Sequence, residues 1–276
     1  MPLITLLILA VVQGLTEFLP ISSSGHLILL YTLFGIENDT LLLSIILHLS
    51  TLLSVVVYYR KDILQLVKKP LCKTNRKILV TTIFTSIVVL AFKPIIDKLF
   101  DSKYLFVFFI ITAFILFFSD YMSERRYILS RTKNKITNTI TLSNSDITDM
   151  SISYRDAIII GLTQGIATIP GISRSGSTIA VSSMLGIKED KAKYSFLISI
   201  PIILLSLVYE LLTTDGLQNI NILGLSIAFV VCFFVGLLAI KWTQVLSKKG
   251  ALSYFGYYLL ILASFLILNA SVLHWF

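Results

Sequence analysis

Six long apolar runs dominate this sequence and restrict what it can fold into. Most of them approach the ~20 residues that a helix needs to cross ~30 Å of hydrocarbon. Hydrophobic residues make up 56% of the 276-residue chain, charged residues make up only 14%, and the mean hydropathy is +0.88. This balance predicts an all-α polytopic membrane protein. Its six predicted full spans cover residues 41–59, 78–96, 104–118, 194–212, 220–240 and 252–273.

The rest of the composition excludes several classes of protein. The formal net charge is +8, but the basic residues lie in short loops between apolar runs, so nucleic acid is not an expected partner. Cys72 lies in a basic loop and Cys232 in an apolar run, so the sequence indicates neither a disulfide nor a metal-binding framework. The N-terminal segment lacks the basic n-region of a signal peptide, and we expect it to be retained.

Two further apolar regions, 3–36 and 154–187, are interrupted by glycine, proline and serine. Neither half of the first region is long enough to cross comfortably, because at 1.5 Å per residue residues 3–18 reach ~24 Å and residues 26–36 reach ~16 Å. Each region is therefore predicted to be a helical hairpin that enters and leaves the membrane on one side. Such re-entrant backbone is tolerated only where it is buried in protein or lines a polar cavity.

The two hairpin regions match each other without gaps. Residues 13–27, QGLTEFLPISSSGHL, align with residues 164–178, QGIATIPGISRSGST, and share Gln, Gly, Ile, Ser, Ser and Gly in register. This predicts an internal duplication, with a first repeat over 1–121, a linker over 122–153 and a second repeat over 154–276. Each half holds one hairpin and three full spans, and an odd number of crossings places the second half upside down relative to the first.

The loop charges predict the orientation independently. Loops 60–77 and 119–153 are rich in lysine and arginine, whereas connections 37–40 and 213–219 contain acidic residues and no basic ones. By the positive-inside rule the basic loops are cytoplasmic. Both termini are then outside, the first hairpin enters from outside, and the second enters from the cytoplasmic side. The polar stretch 130–153 is predicted to be a flexible cytoplasmic linker.

The first hairpin carries an acid inside an apolar segment. Gln13 and Glu17 are four residues apart and share one face of a helix. An intramembrane carboxylate is costly unless it faces a cavity, a cation or a partner, so Glu17 is a candidate functional residue. The alternative is a carboxylate that neighbouring hydroxyl groups hold for folding alone.

A polar turn follows Glu17. Pro20 ends the first half-helix, because proline lacks an N–H and disfavours helix before it, and the Ser-Gly run can open the second half-helix with free backbone donors. The serines could serve simply as helix caps. Three hydroxyl groups and an imidazole beside an intramembrane acid exceed what a cap requires, so we favour a functional role for Ser22, Ser23, Ser24 and His26.

The tip of the second hairpin carries a cation. Arg174 lies in a turn at membrane depth, among small and hydroxyl-bearing residues. A planar guanidinium, hydroxyl donors and a helix N-terminus together form the composition of a phosphate cradle. The alternative is an ion pair between Arg174 and Glu17 that only locks the hairpins together. The residues that accompany Arg174 are Gly171, Ser173, Ser175, Gly176, Ser177 and Thr178.

The duplication is chemically unequal. Glu17 aligns with Thr168 and Ser23 aligns with Arg174, so one half supplies the acid and the other supplies the cation. If the tips meet near the midplane, they build one site with a base, candidate nucleophiles and an anion clamp. Three other polar residues rank lower, because packing or interfacial placement would explain them equally well: His48, Glu210 and His274.

The motifs of both tips resemble those of one family. The pattern Q-x-x-x-E followed by P-x-S-S-S-G-H, and the later P-G-x-S-R-S-x-x-T, are similar to the two signature motifs of the undecaprenyl-diphosphate phosphatases, also called the bacitracin resistance protein family. The resemblance implies hydrolysis of undecaprenyl diphosphate to undecaprenyl phosphate and inorganic phosphate on the outer face of the bacterial cytoplasmic membrane. This reaction recycles the lipid carrier for cell-wall synthesis. The resemblance also implies a divalent cation, Mg²⁺ or Ca²⁺.

The resemblance assigns roles by position in this chain. The catalytic residues would be Glu17, Ser23, His26 and Arg174, with the nucleophile left open between Ser23, His26 and water. Glu17 would also hold the metal, and a metal role for Gln13 is in doubt because the family pattern allows Glu or Gln at this position and this chain has the amide. Substrate-binding residues would be Gln13, Ser22, Ser24, Gly171, Ser173, Ser175, Gly176 and Thr178.

Inverted repeats with broken helices are also a transporter architecture, so the alternative function is a secondary transporter or flippase for a phosphate-bearing lipid or anion. The expected partners are a polyprenyl diphosphate and the membrane. The sequence leaves open whether the chain acts alone or as a homodimer.

Overall fold

The computed structural model describes residues 1–36, 40–99, 102–134, 147–187, 189–213 and 222–270. Within these ranges the regular structure is helical, with short 3₁₀ turns at Ser102–Tyr104 and Ile147–Asp149. In chain order the helices are α1 (Leu3–Thr16), α2 (Ser23–Phe34), α3 (Thr40–Tyr58), α4 (Arg60–Lys68), α5 (Lys73–Lys98), α6 (Leu105–Asn134), α7 (Tyr154–Ile166), α8 (Arg174–Leu185), α9 (Lys191–Thr213), α10 (Ile222–Lys249) and α11 (Ser253–Leu268).

Four of these helices are long and apolar enough to cross a membrane. The qualifying segments are Lys73–Ile96, Leu105–Arg126, Lys191–Leu212 and Ile222–Lys249. A fifth span results if α3 and α4, which meet at a bend of 78°, are taken together. The chain is therefore a multi-pass membrane protein. The predicted span at 252–273 corresponds to α11, which has 16 described residues and falls short of the length of the other four.

The predicted loop 60–77 contains a helix that the sequence analysis did not anticipate. α4 lies at a steep angle to α3 and buries Leu66, while Leu64 and Val67 are exposed. Its basic residues led to its interpretation as a connection, yet apolar residues recur at helical spacing between them. Amphipathic helices of this kind lie in the plane of a membrane interface.

Each predicted hairpin is a pair of short helices. α1 and α2 have 14 and 12 residues, and α7 and α8 have 13 and 12. Serine side chains cap the second helix of each pair, because Ser22 Oγ accepts from the Gly25 N–H at 3.4 Å and Ser173 Oγ accepts from the Gly176 N–H at 3.0 Å. These caps satisfy backbone donors that the start of a helix leaves free.

The first helix of each hairpin packs against a long helix from the other half of the chain. α1 packs against α10 and α7 packs against α5. Glycines allow the close approach, since a β-carbon on Gly14 would lie 2.8 Å from the Cys232 carbonyl oxygen and one on Gly165 would lie 2.5 Å from Val88 Cβ. The largest buried cluster joins α6, α8, α9 and α11 around residues such as Phe109 and Phe196.

The prediction of a flexible linker over 130–153 is wrong at both ends of that segment. Residues up to Asn134 continue α6, and Ile147, Met150 and Ile152 are buried. The Met150 carbonyl accepts a hydrogen bond from Lys77 Nζ, and its N–H donates to Thr74 Oγ1 at 3.1 Å. The buried apolar side chains and the two hydrogen bonds of the Met150 backbone anchor this segment to α5. The intervening residues 135–146 lie outside the described ranges.

Candidate active site

The two hairpin tips meet at an ion pair between Glu17 and Arg174. Glu17 directly follows α1, and Arg174 is the first residue of α8. Arg174 Nη2 donates a hydrogen bond to Glu17 Oε1. The Glu17 side chain is 2% exposed and that of Arg174 is 20% exposed. The acid is therefore buried, while the guanidinium retains some access to a ligand.

The other carboxylate oxygen of Glu17 accepts two hydrogen bonds from its own hairpin. Ser23 Oγ donates to Oε2 at 2.6 Å, and Gln13 Nε2 donates to the same oxygen at 3.1 Å. The predicted pairing of Gln13 with Glu17 across one helical turn is therefore present. Oε2 accepts a short hydrogen bond from the Ser23 hydroxyl group. The carboxylate is therefore positioned to act as a general base toward that hydroxyl group.

His48, which the sequence analysis ranked low, lies near the buried acid in the structure. Its Nε2 lies 3.9 Å from Glu17 Oε2, and its Nδ1 lies 2.8 Å from the Ser44 carbonyl oxygen. The signal was a histidine inside an apolar span, but sequence alone could not show that α3 brings it to an acid 31 residues earlier. His274, the other histidine that ranked low, lies outside the described residues, and Glu210 hydrogen-bonds Ser206 on its own helix.

The serine turn of the first hairpin reaches across to the second. Ser22 has a positive φ of 71°, which is uncommon for a residue other than glycine. Its Oγ accepts from the Gly171 N–H at 3.1 Å and lies 3.4 Å from Ser24 Oγ. Gly171 itself has a φ of 90°, a conformation that suits glycine. Ser22 and Gly171 thus bind the two tips together, which is a structural use of residues predicted to bind substrate.

The second tip is braced by α6. Thr112 Oγ1 donates to the Gly171 carbonyl at 2.9 Å and accepts from the Ser173 N–H at 3.2 Å. Ser173 Oγ lies 3.4 Å from Ser175 Oγ, which in turn donates to the Leu19 carbonyl at 3.3 Å. Thr112 was not predicted, because one threonine in an apolar span carries no signal of its contact with a distant turn.

Two further hydroxyl groups of this tip differ in their contacts. Thr178 Oγ1 donates to the Arg174 carbonyl at 2.9 Å and lies 2.5 Å from Ser195 Oγ. Ser177 Oγ is buried and has no hydrogen-bond partner among the described residues. The ion pair of Arg174 with Glu17 is the contact that the structural alternative for Arg174 predicted. The hydroxyl groups around it act partly as braces, and Ser23 and Ser24 are the partly exposed serines of the two tips.

His26 has a different set of partners from Glu17. Its Nδ1 lies 2.7 Å from the Ser22 carbonyl oxygen, and its Nε2 lies 2.8 Å from the hydroxyl of Tyr258 on α11. Phe109 packs against the imidazole with ring centroids 5.5 Å apart. The structure therefore brings Gln13, Glu17, Ser23 and Arg174 into one hydrogen-bonded group and places His26 on its flank.

The residues present fit a cation that is shared with a phosphate ligand. The described residues contain no group of three or more His, Cys, Asp or Glu side chains that could hold a metal ion. However, Gln13 Oε1 is buried and has no partner within the described chain, and its amide nitrogen contacts Glu17 Oε2. Mg²⁺ commonly uses one or two protein oxygens together with phosphate oxygens and water. Gln13 and Glu17 supply that number of oxygens.

Taken together, the site offers an acid with a hydroxyl group hydrogen-bonded to it and a guanidinium beside both. Arg174 is the first residue of α8, directly after the cap Ser173. The N-terminus of this helix therefore faces the space beside the guanidinium. Such an arrangement binds phosphate oxygens and activates a hydroxyl group or a water molecule for attack on phosphorus. It has the elements of phosphoryl transfer within a membrane protein.

Comparison with known proteins agrees with this chemistry. The sequence pattern of the family described as "Bacitracin resistance protein BacA" matches residues 6–265. A protein named undecaprenyl-diphosphatase from Carboxydothermus hydrogenoformans is 38% identical over 273 residues, which covers 96% of this chain and 97% of the relative. Proteins of the same name from Halothermothrix orenii and Christiangramia forsetii are each 34% identical, covering 99% and 91% of this chain and 100% and 92% of the relatives. The chain belongs to the bacitracin resistance protein BacA family.

Proposed function

We propose that this protein is an integral-membrane phosphatase that hydrolyses undecaprenyl diphosphate to undecaprenyl phosphate and inorganic phosphate. The observation that carries the proposal is the convergence of Arg174 and Ser23 on the two oxygens of the buried Glu17 carboxylate. Family membership and the name shared by the relatives agree with this function. The reaction recycles the lipid carrier for cell-wall synthesis and would confer resistance to bacitracin.

In the proposed mechanism, Arg174 binds oxygens of the diphosphate and neutralises the charge that develops on them. The N-terminus of α8 favours negative charge on the same side through the helix dipole. Arg174 can bind a phosphate while it contacts Glu17, because a guanidinium carries five N–H donors. Substrate binding therefore does not require the Glu17 ion pair to break.

Glu17 accepts the proton of the attacking hydroxyl group. Ser23 Oγ already donates to Glu17 Oε2 at 2.6 Å, so either the serine oxygen attacks or it orients a water molecule at the same position. The role predicted for His26 in proton transfer would require its Nε2 to exchange the Tyr258 hydroxyl for a substrate or water oxygen. For that reason we rank Ser23 and water above His26 as the attacking group.

A divalent cation, Mg²⁺ or Ca²⁺, would be held by Gln13 and Glu17 together with substrate oxygens, after the Gln13 amide turns its oxygen toward the carboxylate to which its Nε2 now donates. When bound, such an ion neutralises phosphate charge. The amide at position 13 contributes an uncharged ligand, so the protein alone would hold the cation weakly. Gln13 and Glu17 would then place the ion only when the diphosphate is present.

The prenyl chain of the substrate is proposed to lie in lipid between spans. A groove of about 500 Å³ opens beside the second tip, between α6, α7 and α8, and its lining is almost entirely apolar. Its inner end is formed by Ile172 and Ser177, which flank Arg174 in sequence. A lipid tail could leave the phosphate site along this route. The groove is lined by Ile111, Phe114, Ile115, Phe118, Thr163, Ile166, Ile172, Ser177, Val181 and Met184.

The proposed architecture is an inverted repeat of two re-entrant hairpins and six full spans. Contacts that recur at an offset of 151 residues support it. A β-carbon on Gly25 would lie 3.1 Å from Gly171 Cα, and one on Gly176 would lie 3.0 Å from Pro20 Cβ. The offset of 151 residues maps Gly25 onto Gly176 and Pro20 onto Gly171. The repeat therefore converts the first contact into the second. The pairing of α1 with α10 and of α7 with α5 has the same relationship.

We place this protein in the bacterial cytoplasmic membrane, with both termini outside and the site open to the outer face. The basic loops support this orientation through the positive-inside rule. The substrate lipid would then be processed where cell-wall polymerisation releases it. A homodimer stays an open alternative to a monomer.

Reconstituted liposomes provide the test. Purified protein is incorporated into vesicles, undecaprenyl diphosphate is added from outside, and inorganic phosphate is measured together with the position of intact lipid. We expect phosphate release and conversion of the lipid to its monophosphate. Transfer of intact diphosphate across the bilayer without phosphate release would contradict the proposal and favour the transporter alternative.

A further inference from the structure

Tyr258 contacts the flank of the site from the far end of the chain. Its hydroxyl lies 2.8 Å from His26 Nε2, 232 residues away in sequence. The other ring nitrogen, Nδ1, lies 2.7 Å from the Ser22 carbonyl oxygen. A carbonyl can only accept a hydrogen bond, so Nδ1 carries the proton. In the neutral imidazole Nε2 is then an acceptor, and Tyr258 is the donor.

These two hydrogen bonds fix the orientation of the His26 ring. The imidazole and the Tyr258 ring are nearly parallel, with an angle of 9° between their planes. Phe109 packs against the imidazole from another direction, with centroids 5.5 Å apart. A ring held at both nitrogens and packed against an aromatic group has one preferred orientation. Removal of the Tyr258 hydroxyl would leave Nε2 without its donor.

The orientation of His26 matters because the ring holds the turn that aims Ser23. The Ser22 carbonyl accepts from the His26 backbone N–H at 3.3 Å as well as from ring Nδ1. Ser22 has a positive φ, a strained conformation that persists only when surrounding contacts hold it. Ser23 follows directly and places its Oγ on Glu17. The hydrogen bonds therefore connect Tyr258, His26 and Ser22 to the residue that donates to the acid.

The neighbouring tyrosine has no such connection. Tyr257 is 60% exposed and packs edge-to-face against Phe117, with ring centroids 4.9 Å apart. Both residues are tyrosines on α11. They differ in that only Tyr258 has a hydrogen bond to His26 among the contacts described for this helix. Tyr257 is thus a matched control for Tyr258.

We propose that Tyr258 is a positioning residue for the phosphatase reaction, acting through His26 on the Ser22–Ser23 turn. The proposal rests on the proposed phosphatase function. It assigns His26 a structural role in the resting site, with the tautomer fixed by the Ser22 carbonyl and the ring orientation fixed by the tyrosine. It also gives α11 a defined part in the site, because a residue of the last described helix then controls the geometry of the first hairpin.

The test compares Tyr258→Phe with Tyr257→Phe in the full-length protein in detergent, with phosphate release from undecaprenyl diphosphate as the assay. Tyr258→Phe is expected to lower kcat about tenfold or more, since loss of a group that orients a functional histidine typically costs that much. KM should change less than about twofold, because Arg174 and the start of α8 are untouched. Tyr257→Phe should match the wild type in both constants.

A double-mutant cycle separates positioning through His26 from a general loss of stability. In a His26→Gln background, Tyr258→Phe should cause no further loss of kcat, because the residue through which it acts is already gone. Imidazole ¹⁵N chemical shifts provide a readout independent of activity. All three proteins should carry the His26 proton on Nδ1, because the Ser22 carbonyl is unchanged, and only Tyr258→Phe should shift the Nε2 resonance, because that nitrogen loses its hydrogen-bond donor.

Equal kcat for Tyr258→Phe and the wild type would overturn the inference, as would full additivity with His26→Gln. An unchanged Nε2 resonance in Tyr258→Phe would do the same. Failure of the wild-type protein to release phosphate would instead refute the proposed function itself, and the inference with it. The Nε2 resonance and the activity are measured separately, so the two failures are distinguishable.

Discussion

Gly25 and Gly171 lie in direct contact where the two hairpin tips meet. A β-carbon on Gly25 would lie 3.1 Å from Gly171 Cα and 2.7 Å from Phe109 Cε1. The tips therefore approach each other at backbone distance, which is what allows Arg174 of one hairpin to reach Glu17 of the other. The absence of a side chain at position 25 is a requirement of the site's assembly.

Gly25→Ala is predicted to separate the tips. An added methyl group at 2.7–3.1 Å from its neighbours forces a shift that typically costs about 1–3 kcal/mol. We expect a lower thermal unfolding temperature in detergent and weaker phosphate release. Gly35→Asn is the control, because Gly35 ends α2 in the left-handed conformation that asparagine tolerates, and among the described residues no neighbouring atom lies within 4 Å of its β-carbon position. Equal losses in both variants would argue against a specific contact between the tips.

Thr112→Val is predicted to loosen the second tip. The substitution keeps the shape of the side chain but removes the acceptor for the Ser173 N–H and the donor to the Gly171 carbonyl. Buried backbone groups left unpaired cost about 1–3 kcal/mol. We expect lower stability and a higher KM, since the tip carries Arg174. Thr82→Val is the control, because the Thr82 hydroxyl bonds only the Ile78 carbonyl of its own helix in the described contacts. Wild-type behaviour of Thr112→Val would show that α6 does not brace the tip.

The proposed cation site predicts that Gln13 and Gln164, which occupy the same position in the two repeats, differ in their effect on cation dependence. A chelator is expected to lower phosphate release, and Mg²⁺ or Ca²⁺ should restore it. Gln13→Leu should raise the cation concentration needed for half-maximal activity, because Gln13 Oε1 is a proposed ligand. Gln164→Leu is the matched control, since Gln164 occupies the same position in the second repeat and hydrogen-bonds Thr85 instead of an acid. Activity that is insensitive to the chelator would rule out the cation.

The proposed orientation predicts which loops a membrane-impermeant maleimide can reach. In a chain whose two cysteines, Cys72 and Cys232, are replaced, Lys98→Cys should be labelled in intact cells. Lys69→Cys should be labelled only after permeabilisation, because its loop is predicted to be cytoplasmic. Both lysines are exposed in the structure, so burial does not confound the comparison. Labelling of both positions from the same side would contradict the orientation.

Much of the site could be predicted from sequence because its charges are so costly in an apolar setting. Glu17 and Arg174 attract attention on energetic grounds alone, and the spacing of Gln13 and Glu17 follows from helix geometry. The matching tips also indicated that one half supplies the acid and the other supplies the cation. These features depend on local chemistry and on periodicity, which sequence displays directly.

The residues that sequence analysis missed act through long-range contacts. Thr112 and Tyr258 are single polar residues in apolar helices, and nothing in their own neighbourhood shows that they reach a hairpin tip. His48 was noted but ranked low, because a histidine in a span is as easily explained by packing. α4 was interpreted as a loop since its charges outweighed its short apolar pattern. In each case the partner is set by helix packing, which sequence spacing does not reveal.

The central claim is that Glu17 and Arg174 together form the catalytic centre. It is tested most directly by phosphate release from undecaprenyl diphosphate with Glu17→Gln and Arg174→Ala. Removing one partner of a buried ion pair can destabilise a protein by about 3–5 kcal/mol, so Arg174→Lys, which keeps the charge, and a folding measurement accompany them. Lys73→Ala, which breaks an exposed pair with Asp149, is the control.

We predict that Glu17→Gln and Arg174→Ala each lower kcat by about 10²-fold or more, while Lys73→Ala retains wild-type activity. Arg174→Lys should fall between, because a lysine lacks the planar fork that binds phosphate and carboxylate at once. Wild-type turnover in folded Glu17→Gln or Arg174→Ala protein would contradict the account.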